Sequence, residues 1–250
     1  YKQIKDKKIM SNRLFCFQCQ ETSKNNGCTI QGVCGKTAEV AQLQDLLIYL
    51  LKGIAFWGTR AKNLDVVHTD TNLFVAEALF ATITNANFDA DRFIKLIKEA
   101  VDRRETLRDA AQARCQELHG EPCPGNGPDW ASWKPESYDS DTMLTKAATV
   151  GVMADEDLDE DIRSLRELIT YGLKGMAAYT DHAYVLGEED PEILAFMQEM
   201  LETTTNDELT AEDLTAMVLK TGEMGLRAMA LLDKANTETY GHPEPPQVYL

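Results

Sequence analysis

The sequence predicts an all-α protein, with two repeated three-helix bundles behind an N-terminal cysteine-rich cluster loop. Apolar residues recur at alternating three- and four-residue steps, which indicates amphipathic helices. Two segments match two later segments in the same order and at nearly the same offset, which indicates an internal repeat. Four cysteines within nineteen residues set the loop apart from this helical scaffold.

Length and composition exclude several classes of protein. The 250 residues, 44% of them hydrophobic, suffice for one large domain or two smaller ones. The net charge of −16 argues against a nucleic-acid or anionic membrane surface and favours a basic partner protein. No apolar run approaches the roughly 20 residues that span a bilayer, and no signal peptide is evident. We therefore expect a cytoplasmic protein, in which clustered cysteines bind metal more often than they form disulfides.

Residues 1–13 are predicted to be a tag or an upstream extension, and residues 14–36 form the cysteine-rich loop. The first predicted bundle, residues 37–119, opens with a long helix for which Thr37 is the expected N-cap. The apolar stripe of this helix comprises Val40, Leu43, Leu47, Leu50 and Ile54. A second helix is predicted over residues 72–84, and a third begins after a potential cap at Asp89.

Residues 120–161 are a predicted linker that ends in an acidic stretch. Prolines and glycines exclude a long helix across residues 120–136, where Trp130 and Trp133 are expected to hold the chain on the surface. The acidic run at residues 155–161 is predicted to be the solvated start of the next helix.

The second predicted bundle, residues 162–238, repeats the first. The Leu-Lys-Gly triplet that ends at Gly53 recurs at Gly175, and Asp190 and Thr210 are the expected caps of its later helices. The matches, at offsets of 122 and 121, are residues 43–58 with 165–180 and 81–97 with 202–218. Because helices joined by short turns pack antiparallel, we expect each copy to form a small bundle.

The candidate functional residues are the four cysteines of the loop, spaced C-x2-C-x8-C-x5-C. They are Cys16, Cys19, Cys28 and Cys34. Their polar surroundings do not resemble a core in which ordinary thiols or two disulfides pack. Structural zinc commonly uses two C-x2-C or C-x4-C pairs, and only the first pair here has such spacing.

An iron–sulfur cluster accepts uneven loop spacings and needs backbone close to its sulfides, which neighbouring glycines permit. Lys24 and Lys36 are expected to offset the negative charge of such a site, and Phe15 and Phe17 to exclude water. Cys115 and Cys123 are expected to be free thiols. No catalytic residue is predicted, because the sequence contains no Gly-rich phosphate loop, Ser-His-Asp set or His-Glu-x-x-His motif. The four histidines have no ligand spacing and are expected to be surface or hydrogen-bonded residues: His68, His119, His182 and His242.

The cysteine motif, the Cys-Gly-Lys-Thr turn and the Leu-Gln-Asp-Leu-Leu helix of residues 15–55 resemble the N-terminus of the hybrid cluster proteins, also called prismane proteins or hydroxylamine reductases. The resemblance extends more loosely to residue 250. It implies a helical N-terminal region and places that family's cluster ligands on Cys16, Cys19, Cys28 and Cys34. The spacing is similar to that of members with a [4Fe–4S] cluster.

The resemblance also implies what this chain lacks. The family's hybrid iron–sulfur–oxygen cluster is held in later α/β domains, and residues 239–250 are predicted to begin the first of them. This chain would thus relay electrons from a redox partner protein and be inactive alone, while the full-length enzyme reduces hydroxylamine to ammonia and also nitric oxide. Two alternatives stay open: a zinc-stabilised helical interaction module and a relative of the carbon monoxide dehydrogenases.

Overall fold

The computed structural model describes residues 14–66, 68–123, 125 and 127–246. Over these residues the protein is all-α, which confirms the predicted fold class. The β-type hydrogen bonding among the described residues is limited to one isolated bridge in the cysteine loop. The predicted extension at residues 1–13 lies outside the described residues, as do residues 247–250 of the predicted downstream segment.

Eight α-helices follow one another along the described chain. They are α1 (Ala38–Asn63), α2 (Thr69–Ala81), α3 (Ala90–His119), α4 (Asp129–Ser132), α5 (Ser140–Ala147), α6 (Glu160–Val185), α7 (Pro191–Thr203) and α8 (Ala211–Tyr240). The side chains of Thr37, Asp89 and Asp190 accept a backbone N–H in the first turn of α1, α3 and α7, as predicted. Thr210 and Asp213 form a complete capping box at the start of α8.

Helices α1–α3 and α6–α8 form two trios of matching lengths, 26, 13 and 30 residues in each. Within each trio the two long helices pack along each other, α1 on α3 and α6 on α8. The short middle helices lie mainly against the opposite trio: α2 contacts α6 and α7, and α7 contacts α1. One hydrophobic core therefore contains residues of both trios.

The middle helices cross over because they are apolar on more than one side. The buried residues of α2 include the consecutive positions Phe74, Val75 and Ala76, which cannot share one helical face. The long helices of the same trio already cover each other, so the other trio covers the remaining apolar sides. The boundaries 37–119 and 162–238 stay predictions about the repeat, because the packing crosses between the trios.

Helix α1 is long and apolar enough, by length and composition, to cross a membrane. This differs from the expectation that no apolar run is so long. In the protein, 72% of its most apolar window is buried. Residues such as Leu43, Leu47 and Leu50 have no exposed surface, because α3, α7 and the segment between the trios pack around the helix.

The segment between the trios is held on α1 and α3 through its backbone. The fully buried Arg104 of α3 donates a hydrogen bond to the carbonyl oxygen of Trp130 at 3.1 Å. Trp57 Nε1 of α1 donates to the carbonyl oxygen of Ala131 at 2.9 Å. Gly53 of α1 is packed so closely that a Cβ atom there would lie 2.0 Å from the Trp130 carbonyl oxygen.

Candidate metal centre

The backbone of the cysteine loop places two of the four candidate ligands side by side. Cys16 N–H donates to the carbonyl oxygen of Cys28 at 3.0 Å, and Cys28 N–H donates back at 2.8 Å. A 3-10 turn at Ser23–Asn25 reverses the chain between them. Gly27 then adopts a φ of 142°, and a Cβ atom there would lie 2.8 Å from the Phe15 ring. Glycine thus lets the aromatic ring pack directly against the returning segment of the loop.

The four cysteines are free thiols in different environments: Cys28 is buried, Cys16 and Cys19 are partly buried, and Cys34 is exposed. Backbone hydrogen bonds from Ser23 and then from the residue before Cys34 lower the pKa of the Cys28 thiol, and burial opposes this shift. Hydrogen bonds to sulfur stabilise the thiolate, which is the form that binds metal.

A buried lysine lies beside the sulfur of Cys16. Lys36 has no exposed surface, and its Nζ donates to Gln44 Oε1 at 2.7 Å and to Cys16 Sγ at 4.0 Å. Burying an ammonium is costly unless a negative or hydrogen-bonding partner compensates it. Lys36 therefore places one buried ammonium 4.0 Å from the sulfur of Cys16. Lys24, the other lysine expected to offset charge, is exposed in the 3-10 turn.

A charged quartet lies where α1 faces α6, at equivalent positions of the two trios. It consists of Asp45 and Lys52 on α1 and Glu167 and Lys174 on α6. Burial raises the pKa of Asp45 to about 7, against the opposing charge of Lys174. Burial lowers the pKa of Lys174 to about 8, against the opposing charge of Asp45. Burial likewise lowers the pKa of Lys52, and Glu167 opposes that shift.

Two cavities connect the loop with this quartet. A small cavity of about 20 Å³ is lined by Cys16, Asp45 and Lys174 among others. A larger, mainly apolar cavity of about 1000 Å³ lies beside Cys19, with Phe17 and further residues of the loop and α6 in its wall. Cys16 thus faces the buried charges, whereas Cys19 faces the larger opening.

The structure therefore brings Cys16 and Cys28 together and places Cys34 next to a residue that hydrogen-bonds Cys28. In the part of the chain that the structure describes, no three His, Cys, Asp or Glu side chains are grouped to hold a metal ion. The assignment of all four cysteines as ligands stays a prediction. Asp45 and Lys174 were not among the predicted site residues, although the repeat places them at positions matched by Glu167 and Lys52.

The prediction that Cys115 and Cys123 are free thiols is wrong, because the two form a disulfide with a Cα–Cα distance of 5.4 Å. Gly120 ends α3 in the left-handed conformation, with a φ of 77°, and the chain turns back along the helix. Gln112 Nε2 then donates to the carbonyl oxygen of Cys123 at 3.4 Å. The turn, which helical periodicity does not reveal, brings the two sulfurs together.

We predict that reducing this disulfide lowers the free energy of unfolding by about 2.5 kcal/mol, because cross-linking so short a loop removes that much chain entropy from the unfolded state. Thermal unfolding with and without a phosphine reductant measures the effect, expected as a fall in Tm of about 5 to 10 °C for a chain of this size. The variant C123S is the control and should not respond to the reductant. An equal response of the variant and the parent chain would contradict the prediction.

The chain is similar to known proteins over most of its length. The Prismane/CO dehydrogenase family matches residues 14–250. Relatives named hydroxylamine reductase are 52% identical over 95% of this chain in Halothermothrix orenii and 53% identical over 95% in Desulfitobacterium hafniense. A third, from Parabacteroides distasonis, is 52% identical over 95% of this chain.

The matched region is a minor share of these relatives. The chain covers 42% of the Halothermothrix and Desulfitobacterium proteins and 41% of the Parabacteroides protein. The predicted resemblance is confirmed, since the family match spans the cysteine loop and all eight described helices. This chain belongs to the Prismane/CO dehydrogenase family.

Proposed function

We propose that the chain holds an iron–sulfur cluster through the four cysteines of its loop and relays electrons to the catalytic part of a hydroxylamine reductase. The proposed ligands are Cys16, Cys19, Cys28 and Cys34. The observation behind the proposal is a contrast among the six cysteines: the two outside the loop are joined as a disulfide, whereas the four within it are free. Iron–sulfur clusters are held by such thiolates.

The environment of the loop fits a cluster. A cluster held by four thiolates is net negative, and the loop supplies a buried ammonium, Lys36, beside Cys16 Sγ, together with backbone hydrogen bonds to the sulfur of Cys28. Both stabilise negative charge on sulfur. Because metal sites are rarely preformed in an unfolded chain, the free energy of metal binding contributes to the ordering of the ligands.

We propose a [4Fe–4S] cluster, on the similarity of the C-x2-C-x8-C-x5-C spacing to family members that hold one. We assign the hybrid iron–sulfur–oxygen cluster that the resemblance implies to the portion of the relatives that this chain does not cover. The names of the relatives favour hydroxylamine reduction over carbon monoxide chemistry. The spacing argues against structural zinc, which commonly uses two closely spaced ligand pairs, because only the first pair here is so spaced.

In the complete enzyme the proposed reaction is the reduction of hydroxylamine, in which two electrons and two protons convert it to ammonia and water. The cluster, when bound, supplies one-electron transfer. The chain contributes the ligands, the compensating charge of Lys36 and the aromatic side chains of Phe15 and Phe17 beside the loop. A redox partner protein is the proposed electron donor, and nitric oxide is a second proposed substrate. Cytoplasmic location and the absence of nucleic-acid and membrane partners stay predictions.

Metal analysis after anaerobic purification tests the proposal. We expect about four iron and four sulfide per chain, and an electron paramagnetic resonance signal after reduction with dithionite. One zinc and no iron would overturn the electron relay. The reduced chain should not consume hydroxylamine, and consumption at an enzymatic rate would contradict the assignment of catalysis to the portion that this chain does not cover.

A further inference from the structure

Lys174 on α6 is a buried lysine without a close partner. Only 4% of the residue is exposed. Among the described residues its ammonium makes no hydrogen bond and no ion pair within 4.0 Å. A buried ammonium is retained at a cost unless negative charge compensates it. The buried positive charge of Lys174 therefore has to be compensated by negative charge nearby.

Two carboxylates and a second lysine act on Lys174. Asp45 is its principal opposite charge, while Lys36 adds a second buried cation on the same side. Glu167 also faces this space, but it is the main opposite charge of Lys52. Lys36 and Lys174 are thus two buried lysines beside the cysteine loop, and the two carboxylates that act on Lys174 also act on Lys52.

Lys174 shares the small cavity of about 20 Å³ with Cys16. Lys36 approaches the sulfur of that cysteine from the loop itself, at 4.0 Å. The sulfur of Cys16 is therefore flanked by two lysines, one from the loop and one from the second trio.

The repeat supplies an internal comparison. Lys52 stands on α1 where Lys174 stands on α6, and each faces a carboxylate of the other trio. Lys52 lines a different cavity, of about 440 Å³, which does not include Cys16. Of these two equivalent lysines, one therefore borders the cysteine loop and the other does not.

We propose that Lys174 is a positioning residue for electron transfer: its charge, supplied by the second trio, stabilises the reduced state of the cluster bound at Cys16 and so raises the reduction potential. The inference rests on the proposed function. Reduction adds one electron from the external donor to the cluster, and no bond to Lys174 forms or breaks. Because the reduced cluster is more negative by one charge, a nearby buried cation favours it over the oxidised cluster.

A redox titration monitored by electron paramagnetic resonance tests the inference on the anaerobically purified chain. In the variant K174M, the ratio of reduced to oxidised cluster at a fixed potential should fall about tenfold, or ~59 mV for a one-electron couple. The charge-preserving variant K174R should stay close to the parent. The matched variant K52M removes an equivalent lysine that does not border Cys16 and should change this ratio far less.

A second variant shifts the potential in the other direction. D45N removes the carboxylate opposite Lys174, so the ratio of reduced to oxidised cluster at a fixed potential should rise. If K174M binds no iron, the titration of D45N decides whether the inference holds. Equal shifts in K174M and K52M, or a fall in D45N, would overturn the inference. The iron content of the parent chain tests the proposed function separately. If the parent chain holds its cluster and K174M has the same reduction potential as the parent, the role of Lys174 is refuted and the proposed function is not.

Discussion

The substitution G53A is expected to destabilise the protein by about 3 kcal/mol, the upper part of the usual range for overpacking a core. A Cβ atom at Gly53 would lie 2.0 Å from the carbonyl oxygen of Trp130 and 3.0 Å from Cδ of Arg104. The oxygen belongs to backbone and cannot rotate away. Relief of the clash must move the linker off α1, which weakens the 3.1 Å hydrogen bond from Arg104 to the same oxygen.

The repeat provides the control for this prediction. Gly175 occupies the matching position on α6, and a Cβ atom there meets no atom within 4 Å. G175A should therefore stabilise the protein by about 0.5 to 1 kcal/mol, the difference in helix propensity between glycine and alanine. Unfolding by urea, followed by circular dichroism, measures both variants. Effects of the same sign would show that contact with the linker is not what distinguishes the two glycines.

The features that the sequence predicted best are those decided locally. Thr37, Asp89 and Thr210 each accept an N–H from the residue three positions further along the chain, so a short pattern suffices to locate the start of a helix. The second helix shows the limit of this reasoning. It was predicted over residues 72–84 and forms at Thr69–Ala81, where His68 provides no side-chain cap to mark its start.

The features that the sequence did not predict depend on contacts between distant segments. The middle helices pack on the opposite trio, because apolar surfaces stay uncovered after the long helices pair. Periodicity within one helix does not reveal which helix covers these surfaces. Asp45 and Lys174 belong to different helices, and only the fold brings the two side chains to the same cavity. The repeat did contain a usable signal, since an acidic residue and a lysine seven positions apart recur in both trios.

The substitution C19S gives the sharpest test of the four-cysteine ligand set, and we expect it to lower the iron content at least about tenfold. A serine hydroxyl stays protonated at neutral pH, whereas the thiolate is the form of cysteine that binds metal. Second-sphere substitutions at metal sites already cost about 10- to 100-fold in affinity, so loss of a ligand should cost no less. Iron and sulfide analysis, with absorption spectra of the anaerobic protein, measures the result.

Cys19 is the decisive position because its place in the structure is the least like that of a ligand. Cys16 and Cys28 are joined by backbone hydrogen bonds, whereas Cys19 lines the large apolar cavity. The matched variant C123S removes a cysteine outside the loop and should keep full iron. If C19S also kept full iron and an unchanged spectrum, the ligand set inferred from spacing would be wrong at this position, and a different group would have to complete the site. Loss of iron in C19S but not in C123S would show that Cys19 joins the ligand set when the metal binds. This is expected because metal binding supplies free energy that orders the ligands.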